Sequence, residues 1–198
     1  MGWDGIQRQG FLAVNDVSAD TPWLHGPLRD FAVYGVVLFA GLLLLGWWLA
    51  RREGTAAMAA ALWAPVGVLL AVAVNQPLGN LVHESRPYAV LPHVLVLVPR
   101  SQDFSFPSDH AVMAGAVAAG VFLVNRRLGL IAAAAALLMA FDRVYVGAHF
   151  PLDVVAGLLV GAVVTVLGYR LAAPVLLRLV DRLARTRVRP LLVGSRTA

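Results

Sequence analysis

Three short stretches of this chain hold residues whose types and spacing could do chemistry: Arg86-Pro87, Ser108-Asp109-His110, and Arg143 with His149 and Asp153. Together they offer two guanidinium groups, a hydroxyl, two imidazoles and the carboxylate of Asp153. Two guanidinium forks suit a phosphate group, because each donates parallel hydrogen bonds to its oxygens. Ser108 precedes a helix that starts near His110, so it can cap that helix or donate to a phosphate, and the helix end attracts an anion to the same place. His149 and Asp153 stand four residues apart with Pro151 between them, a spacing that lets a carboxylate at the first turn of a helix fold back onto the preceding imidazole. A carboxylate on one ring nitrogen orients the other and makes it a better nucleophile or base. His110 is then free to protonate a leaving oxygen.

The elements that must position these groups are apolar. The chain of 198 residues is 60% hydrophobic and 14% charged, with a mean hydropathy of +0.76, whereas soluble domains carry about 25% charged residues. It reads as one membrane-embedded unit over residues 1–198. Five apolar runs are expected to form an all-α bundle of about five transmembrane helices: Phe31–Ala50, Thr55–Val82, Ala111–Val124, Leu128–Phe141 and Val154–Tyr169. Asn75, Gln76 and Pro77 predict a kink, or an exit from the hydrocarbon, in the far third of the second run. The last three runs are short for a hydrocarbon core about 30 Å thick, which draws their flanking charged residues to membrane depth. Residues 1–24 read as an amphipathic helix on the membrane surface or as a disordered terminus, and residues 176–198 as a basic tail touching anionic lipid.

All 16 basic residues are arginine, and the formal net charge is +5. These arginines sit between apolar blocks and not on one soluble face, which argues against nucleic acid as a partner. Arg51/Arg52, Arg126/Arg127 and Arg170–Arg196 fall on one side, so the positive-inside rule makes that side cytoplasmic and puts all three reactive stretches on the outer side. There is no cysteine, which removes disulfides and thiolate chemistry.

The stretches "SRP" (Ser85–Pro87), "PSDH" (Pro107–His110) and "RVYVGAHFPLD" (Arg143–Asp153) resemble the three-part signature of the type 2 phosphatidic acid phosphatase (PAP2) superfamily, over roughly residues 75–161. The resemblance implies that His149 attacks phosphorus, oriented by Asp153, and forms a phosphohistidine. It also implies that His110 protonates the leaving group while Arg86, Ser108 and Arg143 hold the phosphoryl oxygens. It implies no cofactor and no metal, in keeping with the lack of a carboxylate cluster suited to Mg²⁺. Two positions depart from the wider pattern. Gly79 stands where that superfamily carries a lysine, and Asp109 where it usually has glycine. With Asn75 upstream, both departures are similar to the bacitracin-resistance branch, the undecaprenyl-diphosphate phosphatases. Asp109 could steer Arg86 or Arg143, or hold a proton.

The expected function is removal of the terminal phosphate from undecaprenyl (or another polyprenyl) diphosphate at the outer face of a bacterial inner membrane. The rivals are a phosphatase for phosphatidylglycerophosphate or another phospholipid monoester, a small transporter or channel with the same groups as a relay, and an inert membrane protein. Bland roles are expected for His83 and His93 as loop residues, for Asn75 and Gln76 as interhelical hydrogen-bond partners, and for Arg86 as a partner of Glu84.

Overall fold

The computed structural model describes residues 3–194, and these contain helices and no strand. The outermost residues of both terminal segments, 1–2 and 195–198 with Arg196, lie outside the described residues. In chain order the helices are α1 (Trp3–Asp20), α2 (His25–Glu53), α3 (Thr55–Val82), α4 (Pro87–Val90), α5 (Asp109–Val124), α6 (Arg126–Tyr145), α7 (Pro151–Leu183) and α8 (Arg189–Leu192). Four of them, those containing α2, α3, α6 and α7, are long and apolar enough to cross a membrane, and α5 is a shorter apolar helix.

Helix α5 is the centre of the bundle. Its 16 residues reach only about 24 Å, yet Ala111, Val112, Ala114, Ala116, Val117 and Val121 are all buried, because α3, α6 and α7 pack round it. Small residues make that closeness attainable. A Cβ on Gly161 would stand 2.0 Å from the Val112 carbonyl oxygen, and one on Gly157 2.8 Å from that of Ser108. From the other side, a Cβ on Gly115 would meet the Leu158 carbonyl at 2.3 Å. Gly157-x3-Gly161 is thus the small-residue seam that brings two membrane helices to backbone contact.

Helix α3 has the expected bounds, with Pro65 and Pro77 inside it, and the Asn75 side chain is buried against the start of α5. The end of the last long helix differs from the sequence expectation. Helix α7 runs 33 residues to Leu183 and does not stop near Tyr169, because Val180, with Leu176, Leu177 and Leu183 around it, packs on Ala50 and Met58–Ala61. The head of the basic tail is therefore bundle, and the part beyond it folds back: Arg51 Nη2 donates to the Pro190 carbonyl at 2.7 Å and Gly194 N–H to the Arg51 carbonyl at 2.8 Å.

Residues 3–20 form a helix, as one of the two expectations had it, but its inward stripe meets protein. Phe11 is fully buried among Ala111, Ala140, Val144, Phe150 and Val154, with its ring edge-on to Phe150 at 5.5 Å.

Candidate active site

The C-terminal ends of α3 and α6 and the N-terminal ends of α5 and α7 meet at one end of the bundle. Helix α3 closes on His83, which takes the left-handed conformation (φ 54°) that lets the chain turn back. Arg86 follows, just before Pro87 opens α4. Arg143 lies in the last turn of α6, and the chain then reverses through Gly147. That residue has φ +78°, and a Cβ there would strike the Leu95 carbonyl at 2.3 Å, so only glycine fits. The reversal is tied to the arginine itself, since Ala148 and His149 N–H both donate to the Arg143 carbonyl.

His149 ends this turn, 2% exposed. Its Nδ1 stands 2.8 Å from the Ser105 carbonyl oxygen. A carbonyl only accepts, so Nδ1 carries the proton. Its Nε2 lies 3.2 Å from Arg86 Nη1, which only donates, so Nε2 presents a lone pair. Burial first, then the charges of Arg86 and Arg143, hold this imidazole well below its ordinary pKa. The neutral form therefore persists into acid. We expect activity that needs His149 neutral to show no acid limb near pH 6.5, the ordinary imidazole value; kcat/KM measured between about pH 5 and 8 checks this.

Asp153 sits less directly behind His149 than the spacing predicts. Its Oδ2 is 3.5 Å from Nδ1 and accepts from the Phe150 N–H at 2.8 Å and the Ser105 hydroxyl at 2.5 Å. Capping α7 competes with the imidazole for the same oxygen, and the Ser105 carbonyl takes the ring proton. Ser105 is the residue sequence reasoning missed. Fully buried, it donates its own N–H to the Glu84 carbonyl and so joins all three stretches. The one signal was a hydroxyl three residues before Ser108 inside an aromatic-proline run.

Ser108 takes the N-cap position of α5 without making the side-chain cap bond. Its hydroxyl is buried and has no partner, as does Arg143 Nε. The Ser108 N–H reaches the Asp153 carbonyl at 3.1 Å, locking the starts of α5 and α7 together. Asp109 meets neither arginine. Its Oδ1 accepts from Asn75 Nδ2 at 2.8 Å and Gln76 Nε2 at 3.1 Å, and Asn75 also donates to the Pro107 carbonyl. The interhelical role expected of both amides is the one they have. A Cβ on Gly79 would stand 3.3 Å from the Phe106 carbonyl oxygen, a tight single contact.

Arg86 pairs with Asp103. Nη2 donates to Asp103 Oδ1 at 3.0 Å, Nε to the Asp103 carbonyl at 3.2 Å, and Nη1 to the Ala148 carbonyl at 3.1 Å. Burial alone would raise the Asp103 carboxyl, but the Ser101 hydrogen bond and the Arg86 charge prevail and its pKa is lowered. Arg86, Asp103, Asp109, His110, Arg143 and His149 line one cavity of about 200 Å³, with Tyr88 on its wall. His83 and His93 stand outside it. No group of three or more metal-ligating side chains occurs among the described residues.

Residues 60–175 match the model of the PAP2 superfamily. The chain is 30% identical over 160 residues to the undecaprenyl-diphosphatase BcrC of Bacillus subtilis, covering 81% of each protein. It is 29% identical over 161 residues to the bacitracin transport permease protein BcrC of Bacillus licheniformis, covering 81% of this chain and 78% of that one. The fold matches a transmembrane PAP2-type phosphatidylglycerolphosphate phosphatase from Bacillus subtilis with a TM-score of 0.66 at 22% identity, over 87% of both chains. With the three signature stretches gathered round one cavity at the end of a membrane bundle, the chain belongs to the PAP2 superfamily and is a membrane-embedded lipid-phosphate phosphatase.

Proposed function

We propose that the protein hydrolyses undecaprenyl or another polyprenyl diphosphate to the monophosphate, at the outer face of a bacterial inner membrane, through a phosphohistidine on His149. The observation that carries the mechanism is the imidazole itself, neutral, with its proton on Nδ1 held by Ser105 and its Nε2 lone pair turned into the arginine-lined cavity. Nε2 attacks the terminal phosphorus, an N–P bond forms, and the P–O bond to the lipid monophosphate breaks. His110 supplies the proton to the leaving oxygen. Water then attacks the phosphohistidine and releases inorganic phosphate. Arg86, Arg143 and the unpartnered Ser108 hydroxyl stabilise the charge that spreads over the phosphoryl oxygens.

The substrate rests on the likeness to the undecaprenyl-diphosphatase of Bacillus subtilis and on the Gly79 and Asp109 departures. The orientation rests on Arg51, Arg52, Arg126 and Arg127, which lie at the helix ends opposite the site and mark the cytoplasmic side. Initial rates on polyprenyl diphosphate and phosphatidylglycerophosphate in the same detergent test the substrate. Faster turnover of the diphosphate is expected, and faster turnover of the phospholipid would overturn it. His110→Ala is expected to lose most activity on a lipid substrate with a poor leaving group and much less on an activated aryl phosphate. Equal losses on both would remove His110 from the acid role.

A further inference from the structure

The inward stripe of α1 does not have the composition of a surface helix. Phe11, Asn15 and Ser18 are buried and Gln7 is partly so, while Ile6 and Val17 stay exposed. Burying amides is costly unless their hydrogen bonds are met; Asn15 is met through both its nitrogen and its oxygen and Gln7 through its nitrogen alone, in each case by a segment that carries the site. Gln7 Nε2 donates to Glu84 Oε1 at 2.7 Å. Glu84 lies two residues before Arg86, and its carbonyl accepts the Ser105 N–H. Asn15 forms a two-way amide pair with Leu95, accepting the Leu95 N–H at 3.0 Å and donating to its carbonyl at 2.8 Å. That same carbonyl is the one against which Gly147 turns toward His149. Phe11 packs edge-on against Phe150, the neighbour of His149.

We infer that α1 is a positioning element of the catalytic centre, in which Gln7, Phe11 and Asn15 hold the Arg86 segment, the 91–103 strap and the His149 turn in register. No described residue of α1 lines either cavity at this end of the bundle, so the helix acts through those segments and not on the substrate. It also lies outside the residues that match the superfamily model. A geometric error of about 1 Å at a reacting centre costs on the order of a hundredfold in rate, and the three contacts fix one helix against each of the three segments whose alignment decides such an error.

The kinetic arm of the test rests on the phosphatase reading, and the exchange arm does not. Asn15→Ala and Phe11→Ala are expected to lower kcat about tenfold or more with KM within about twofold of wild type. Phe11→Leu should recover most of the loss, and Gln7→Ala should show a smaller loss of the same kind. Hydrogen exchange of the full-length protein should quicken in 84–86, 94–98 and 147–150 while α3 and α5 keep their protection. Unchanged exchange in those three segments would overturn the inference. So would quicker exchange with unaltered kcat, which is the signature of a merely structural contact, or a fall in kcat matched wholly by fewer molecules giving a phosphohistidine burst. If wild type releases no phosphate from any lipid phosphate yet exchange responds as described, the phosphatase reading falls and the clamp stands.

Discussion

His149→Ala is expected to abolish turnover, with kcat lowered on the order of 10³-fold or more, and to leave no acid-labile phosphoenzyme in a rapid-quench experiment. The size follows from the mechanism. Without Nε2 no covalent step exists, and only electrostatic stabilisation and binding remain for direct attack by water. Binding itself should survive, because Arg143 and Ser108 keep their positions and Arg86 loses only one of its contacts, that to Nε2. The variant should therefore retain substrate in a binding assay while releasing no phosphate. A variant that still forms phosphoenzyme would move the nucleophile to another residue, and His110 is the other imidazole lining the cavity. Ser105→Ala should be milder, since the carbonyl that takes the Nδ1 proton is unaffected and only the hydroxyl to Asp153 is lost.

Gly161→Val is expected to have the largest effect on stability, destabilising by about 3 kcal/mol or more. Its first added carbon alone would sit 2.0 Å from the Val112 carbonyl oxygen and 2.7 Å from the Ala116 nitrogen, and backbone cannot swing aside as a side chain can. Helix α7 would have to move off α5, and that carries Asp153 and His149 away from Ser108. The loss should therefore appear twice, as a lower midpoint of thermal unfolding in detergent and as reduced activity in the molecules still folded. Gly41→Ala is the control. Nothing lies within 4 Å of its Cβ position, and alanine in a helix is favoured over glycine by about 1 kcal/mol. Equal behaviour of the two variants would refute the seam between α5 and α7.

The apolar runs and the three reactive stretches were legible because hydrocarbon length and residue chemistry are local properties of the chain. Which partner each group takes is not local. Asp153 at its spacing from His149 predicts a direct bond, but the same oxygen also serves the Phe150 N–H, a demand that arises only once α7 starts at Pro151. Asp109 suggests a bond to Arg86 or Arg143, which carry the opposite charge, or a held proton, yet α3 brings the Asn75 and Gln76 amides to its Oδ1. Ser105 acts through its carbonyl, a group every residue has, so its side-chain type gave little notice. The extension of α7 past Tyr169 depends on Ala50 and Met58, more than a hundred residues away in the sequence. Amphipathicity leaves residues 1–24 between a helix on the membrane surface and a disordered terminus, because the protein that its inward face meets, Ala111, Ala140, Val144, Phe150 and Val154 around Phe11, is brought there only by the fold.

The Arg86–Asp103 pair makes occupation of this cavity an exchange of one anion for another. The guanidinium has the Asp103 carboxylate as its partner, and a phosphoryl group approaching Arg86 Nη2 would compete with that tethered carboxylate at a fixed, high local concentration. Free phosphate in the surroundings faces that competitor with no lipid anchor to hold it nearby, whereas a substrate embedded in the bilayer is itself tethered. Discrimination between the two can thus come from the competition as well as from contact. Asp103→Asn would weaken the competitor, and inhibition by inorganic phosphate should deepen several-fold while kcat on the lipid changes little.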